Sequence, residues 1–167
     1  MYSFLIRQAK VVDGSGQPPF QADVAMEGER IAAIAPRIDG GTDRQIQADG
    51  LVAAPGFIDI HTHTDATIFK HPLVESKAMQ GVTVEVIGNC GIGTFPVVPE
   101  RKKILADYLR MHDFDLPEGG LDWDDLTPYA NRLEKLGLGV NLAPLVSHGA
   151  LRIAAMGAEN RDPSPDE

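Results

Sequence analysis

The 167 residues are 43% hydrophobic and 23% charged, the balance of a folded domain and not of a disordered chain. Acidic residues outnumber basic ones, 24 to 15, for a net charge of -9; with no basic cluster to neutralise phosphates, nucleic acid is not an expected partner. No apolar run approaches the roughly 20 residues of a membrane span, and the start MYSFLIRQAKVVDG lacks the order of a signal peptide, so the expectation is a cytoplasmic protein with no membrane association.

Residues 1–52 read as short strands closed by turns. SFLIRQAKVV, ADVAMEGERIAAIAP and RQIQADGLVAAP are apolar or alternating runs ended by Gly, Asp or Pro, with DGSGQPP between the first two. That is hairpin grammar, and a β-rich, sandwich-type segment is expected. Strands this short bury little alone, so the segment is expected to lean on further structure.

After Pro55 and Gly56 the pattern alternates. GFIDIH reads as a buried strand, PLVESKAMQ as a helix, GVTVEVIG as a strand, PERKKILADYLRMH and DWDDLTPYANRLEKLG as helices, and LGVNLAPLVS as a third strand. Such alternation argues parallel βαβ units and an α/β class. Leu126, Tyr129, Leu133 and Leu136 recur at helical spacing as a packing stripe, with Gly137 as a stop. GALRIAAMGAENRDPSPDE begins as a helix and ends polar and proline-containing. A closed barrel of eight strand–helix units takes roughly 200–250 residues, whereas about 115 follow the first segment, enough for three or four units. Residues 53–167 are therefore expected to be either a small open α/β layer or the first part of a larger (β/α)8 barrel, incomplete here.

The chemistry concentrates in HTHTD. Side chains alternate along a strand, so His61 and His63 are expected on one face, joined by Asp59 and Asp65 if the extended geometry persists. Two imidazoles about 7 Å apart at their backbones can converge on one metal ion. The alternative is a strand end that happens to carry two surface histidines. Cys90, in VIGNCGIG, is the lone cysteine. It therefore has no internal disulfide partner, and a buried small hydrophobe, a reactive thiol or a metal ligand are all open to it. It follows the next strand, where Gly88, Gly91 and Gly93 allow tight turns. Thiolate, imidazole and carboxylate together suit zinc.

GLVAAPGFIDIHTHTD resembles the opening barrel strand of the amidohydrolase superfamily. QGVTVEVIGNCGIG, followed by NLAPLVSHGALRIAAMG, is similar to the D-aminoacylase (N-acyl-D-amino-acid deacylase) branch. The HxH strand fits many amidohydrolases, whereas GNCG is more selective, because hydantoinase and dihydroorotase relatives commonly use a carboxylated lysine there. The resemblance implies a zinc-dependent deacylase acting on small N-acyl-D-amino acids, of which this chain is the N-terminal part. It implies that Cys90 holds a tightly bound zinc and can bridge to a weaker one, and that His61 and His63 help bind the weaker site. The remaining ligands and the aspartate that serves as general acid and base are expected on later strands, so no catalytic residue is assigned here and the 167 residues alone are expected to be inactive. Thr64 stands where relatives often carry an acid, with Asp65 beside it. Asp59 and Asp65 are expected to support the ligands. His148, after the third strand, is a candidate for substrate contact, with a histidine at a helix entry as the alternative; His71 and His112 read as solvated surface residues.

Other readings stay open. One is a non-catalytic, truncated zinc-binding pseudoenzyme in which His61, His63 and Cys90 hold a metal for stability. Another is a dihydroorotase- or hydantoinase-like cyclic amidase, and a third makes Cys90 a nucleophile activated by His61 or His63. An incomplete barrel exposes apolar edges, which predicts association with a missing C-terminal portion or self-association.

Overall fold

The computed structural model describes residues 1–42 and 44–167, which fall into two compact units, Met1–Pro55 and Gly56–Glu167. The first is a single five-stranded sheet: β1 (Phe4–Val11), β2 (Phe20–Glu27), β3 (Arg30–Ala35), β4 (Gln45–Gln47) and β5 (Val52–Ala53), in the order β3-β2-β1-β4 with β5 also on β1. β1–β2 and β2–β3 are antiparallel, the latter reversing through Gly28, whose φ of 58° is costly for other residues. Here the hairpin reading needs correction, because β4 and β5 run parallel to β1, one beside Leu5–Arg7 and the other beside Lys10 and Val11. Two short strands thus share one long edge, so the arrangement is one sheet and not two facing ones.

Within β1 the pairing slips between Ile6 and Ala9, and Gln8 adopts φ 57°. The extra residue shifts the alternation of side chains. Leu5 accordingly packs with Ala25 and Ile38, while Ala9 and Val11 pack with Ala22, Val24 and Ala48. The Gln8 amide released by the bulge donates to Asp23 at 2.9 Å.

The second unit is built on three parallel strands, β6 (Phe57–Asp59), β7 (Val82–Ile87) and β8 (Asn141–Pro144), with β7 in the middle. Parallel neighbours need crossovers, supplied by α1 (Glu75–Ala78) between β6 and β7, and α2 (Lys102–Met111) and α3 (Leu126–Glu134) between β7 and β8; α4 (His148–Met156) follows β8. The core gathers Ile87 with Leu105 and Leu109 of α2, Tyr129 and Leu133 of α3, and Ala150 and Ile153 of α4. The α/β class is therefore observed, as an open sheet.

Three elements are shorter than the sequence pattern suggests. The helix expected over 72–80 shrinks to one turn, which begins only after the left-handed Val74 (φ 48°). The helix expected from residue 122 starts at Leu126, capped by Asp125 accepting from the Thr127 amide at 2.9 Å. Leu121 and Trp123, just before it, are buried in irregular chain, with the indole donating to the Thr94 carbonyl at 2.8 Å. Of the expected stripe, Tyr129 and Leu133 are buried while Leu126 is exposed. Finally, β6 ends at Asp59, so the HxH segment lies beyond the strand.

Candidate metal centre

His61 and His63 sit on the turn leaving β6. The Thr62 amide still reaches the Val86 carbonyl of β7 at 3.3 Å, so this turn runs along the neighbouring strand. At the end of β7 the chain makes a tight, non-helical turn over Gly88–Gly91, in which Gly88 (φ 80°), Cys90 (φ 56°) and Gly91 (φ 76°) are all left-handed. For glycine this is cheap. For Cys90 it is a strained conformation of the kind retained where a side chain must be aimed.

The two turns aim their side chains at each other. His61 Nε2 lies 3.1 Å from Cys90 Sγ, and the His61 and His63 rings stand edge-on with centroids 5.9 Å apart. Nitrogen and sulfur donors of His61, His63 and Cys90 all fall within 4.8 Å of one another, the one such group of three or more His, Cys, Asp or Glu among the described residues. His63 Nδ1 is buried and without a hydrogen-bond partner. A thiol and two imidazoles converging with a donor nitrogen left over form a set that suits zinc.

Neither aspartate expected on this face belongs to the donor group. The extended geometry that would have placed them there stops at Asp59. Asp59 Oδ1 instead accepts from the His61 amide at 3.2 Å and Oδ2 accepts from Lys77. The lysine and then the amide hold the Asp59 carboxyl below its usual value, while Asp59 raises Lys77. Asp65 turns inward: its Oδ2 accepts from the Gly88 amide at 3.1 Å, and its Oδ1 has no partner. Burial, opposed by the Gly88 amide and other backbone donors and reinforced by the charge of Glu85, pushes Asp65 up to about 7. His148 is exposed at the start of α4; it flanks the Gly91 backbone but contributes no atom to the donor group. His71 and His112 are exposed.

Several supporting residues were not singled out from sequence, and Gly93 was read there only as allowing a tight turn. The Asn89 amide bridges the two turns, donating to the Val86 carbonyl at 2.8 Å and the Thr62 carbonyl at 3.4 Å. Gly93 and Gly149 serve close approach more than turning: a Cβ on Gly149 would stand 2.5 Å from the Gly91 carbonyl and 2.8 Å from Tyr108 Oη, and one on Gly93 would stand 2.8 Å from Ser147 Oγ. Glu85, at 0% exposure in the middle of β7, has neither carboxylate oxygen hydrogen-bonded. A glutamate inside VTVEVIG was the available signal, since buried parallel strands are otherwise apolar.

No protein-family model matches the chain. It is 40% identical over 157 residues to the N-acyl-D-glutamate deacylase of Alcaligenes xylosoxydans xylosoxydans, covering 94% of this chain and 31% of that protein. It is 35% identical over 156 residues to the D-aminoacylase of the same organism, covering 93% and 31%. The N-acyl-D-glutamate deacylase of Bordetella bronchiseptica, solved with zinc and a phosphonate mimic of the tetrahedral intermediate, matches with a TM-score of 0.82 at 33% identity over 99% of this chain and 33% of its own. The chain thus spans about a third of the length of these relatives. Its homologues over most of these residues, of whose length it covers about a third, are D-aminoacylases and N-acyl-D-amino-acid deacylases, a branch of the amidohydrolases. No helix among the described residues is long and apolar enough to cross a membrane.

Proposed function

We propose that these residues form the metal-binding part of a zinc-dependent N-acyl-D-amino-acid deacylase, which releases a carboxylate and a D-amino acid. The observation that carries this reading is the convergence of His61, His63 and Cys90 within 4.8 Å, in a chain whose relatives include N-acyl-D-amino-acid deacylases. Those relatives favour a linear-amide substrate over the cyclic amides of hydantoinase-like enzymes. The sheet β6-β7-β8 is read as the opening strands of a (β/α)8 barrel spanning 53–167 and beyond, preceded by the β-rich segment 1–52.

His61, His63 and Cys90 would hold the metal, which when bound supplies Lewis-acid polarisation of the acyl carbonyl and a lowered pKa for nearby water. The chain's own work is positional. The left-handed Cys90 turn presents the thiol, Asn89 ties that turn to the histidine turn, and Asp59 fixes the His61 backbone. As the resemblance to the deacylases implies, proton transfer to the leaving amine is assigned to an aspartate of the longer chain, and these residues are expected to show no turnover by themselves. His148, beside the Cys90 turn, remains the candidate for substrate contact.

The test is hydrolysis of a panel of N-acyl-D-amino acids by the full natural chain, with metal content measured on the same sample. Zinc-dependent release of a D-amino acid, lost in Cys90→Ala and His61→Ala, supports the reading. Zinc-free protein with unchanged activity in Cys90→Ala overturns it. Zinc that fails to protect Cys90 from alkylation favours the thiol-nucleophile reading instead.

A further inference from the structure

Lys77 lies on the one-turn helix α1, outside the metal donor group, yet its side chain is only 33% exposed. Its ammonium is drawn between two carboxylates from different strands. One is Asp59 at the end of β6, to which it donates a hydrogen bond. The other is Glu85 of β7, whose Oε1 is 3.8 Å away. Asp59 in turn accepts the backbone amide of His61 through its other oxygen. An unbroken line therefore runs from the interior of β7 through α1 to the backbone of a candidate ligand.

Energetics make this line unusual. A carboxylate buried without hydrogen bonds is costly, and a buried ion pair contributes less to stability than an apolar residue of similar volume. Val84 and Val86 on either side of Glu85 show what a sheet of this kind ordinarily uses. The buried charge does little for the fold, but it holds the ammonium over the end of β6. There the ammonium engages one oxygen of Asp59 and leaves the other facing the His61 amide. Without Lys77, Asp59 would be a strand-end aspartate free to rotate into solvent, and the turn carrying His61 would lose its one side-chain anchor at that amide.

We propose that Lys77 is a positioning residue of the metal centre: with Glu85 as its buried counter-charge, it orients Asp59 and through it the His61 backbone. This rests on the reading of His61, His63 and Cys90 as metal ligands. Partners that orient ligands from outside the donor set are typically worth about 10- to 100-fold in metal affinity.

The experiment uses the full natural chain and four variants: Lys77→Met, Lys77→Arg, Asp59→Asn, and the double variant Lys77→Met/Glu85→Leu. Zinc affinity is measured by competition with a chelator, cobalt spectra report ligand geometry, and the thermal midpoint of the metal-free protein reports folding. Lys77→Met is expected to weaken zinc binding about 10- to 100-fold and to shift the cobalt spectrum. Lys77→Arg recovers part of the loss. Asp59→Asn gives a loss of similar size. The double variant removes the stranded carboxylate along with the lysine, so its midpoint returns towards that of the parent while its zinc affinity stays low. If zinc affinity returns together with the midpoint, or never changed in Lys77→Met, Lys77 only neutralises Glu85 and the proposal falls. Failure of the metal reading itself looks different: the parent would bind no zinc, and His61→Ala would behave like the parent.

Discussion

Two regions of this molecule bury carboxyl groups to the same depth and treat them in opposite ways. In the first sheet, Asp23 is 1% exposed and accepts from the Gln8 amide, the Ile38 amide and the Arg7 guanidinium at 2.9, 3.0 and 2.8 Å. Burial pulls its carboxyl up, yet these three donors together hold it below the usual value. In the second unit, Asp65 and Glu85 are 2% and 0% exposed, and three of their four oxygens have no hydrogen-bond partner. There burial dominates and Asp65 rises to about 7. A buried acid whose lone pairs are filled is part of the fold. Buried acids left short of donors, beside a convergence of imidazole and thiol, are the pattern of a site held ready at the expense of stability.

The largest effect expected from this contrast is at Asp23. Asp23→Ala strands the Arg7 charge and two amides together, and should destabilise the first unit by about 3 kcal/mol in urea unfolding. A loss as small as that of an exposed aspartate would break the comparison on this side. The second effect has the opposite sign. Because the folded pKa of Asp65 lies above its unfolded value, its contribution is complete below pH ~4 and is lost as pH rises through about 7. Metal-free parent protein should therefore lose about 2 kcal/mol between pH 5 and pH 8 relative to Asp65→Asn. Parallel stability curves for the two would show that Asp65 ionises without penalty.

A third, smaller effect sharpens the contrast by direction. The Asp23 pKa is depressed, so its contribution is present above the unfolded carboxylate value of about 3.9 and is lost as pH falls through the lower folded value. The gap between parent and Asp23→Ala should hence narrow as the acid limb is approached, just where the Asp65 contribution is complete. A gap that stays constant below pH 4 would remove the claim that Asp23 works as an anion.

The order of strands and helices in the second unit was legible because it is periodic, apolar runs of strand length separated by helical stripes; His61, His63 and Cys90 were singled out by their residue types near strand ends, although the strand alternation expected to bring the two histidines to one face stops at Asp59. What periodicity could not reveal is where an element stops. β6 ends at Asp59, whose carboxylate accepts from Lys77 and the His61 amide, and α1 begins only after the left-handed Val74. The parallel pairing of β4 and β5 with β1 was equally hidden, since short strands after turn residues look alike whichever edge they join. The close approaches at Gly149 and at Gly93, the latter read from sequence as a turn former, were silent for another reason: the constraint is a neighbouring backbone or side chain distant in sequence, which composition does not record.

The smallest effect discriminates most finely. Glu85→Gln removes a charge from the interior of β7 without changing its shape. If Glu85 held the fold together as Asp23 does, the change would cost several kcal/mol. Among the described residues, however, its oxygens accept no hydrogen bond and its one ion-pair partner is Lys77 at 3.8 Å; desolvation of the buried ion and loss of that attraction oppose each other. The expected change in the unfolding midpoint is therefore worth less than about 1 kcal/mol, of either sign. Lys77 keeps its hydrogen bond to Asp59 in this variant, so zinc affinity should fall by less than in Lys77→Met. A variant that unfolds readily would mean that Glu85 belongs with Asp23, and the division between acids that hold the fold and acids that hold the site would fail at its most buried member.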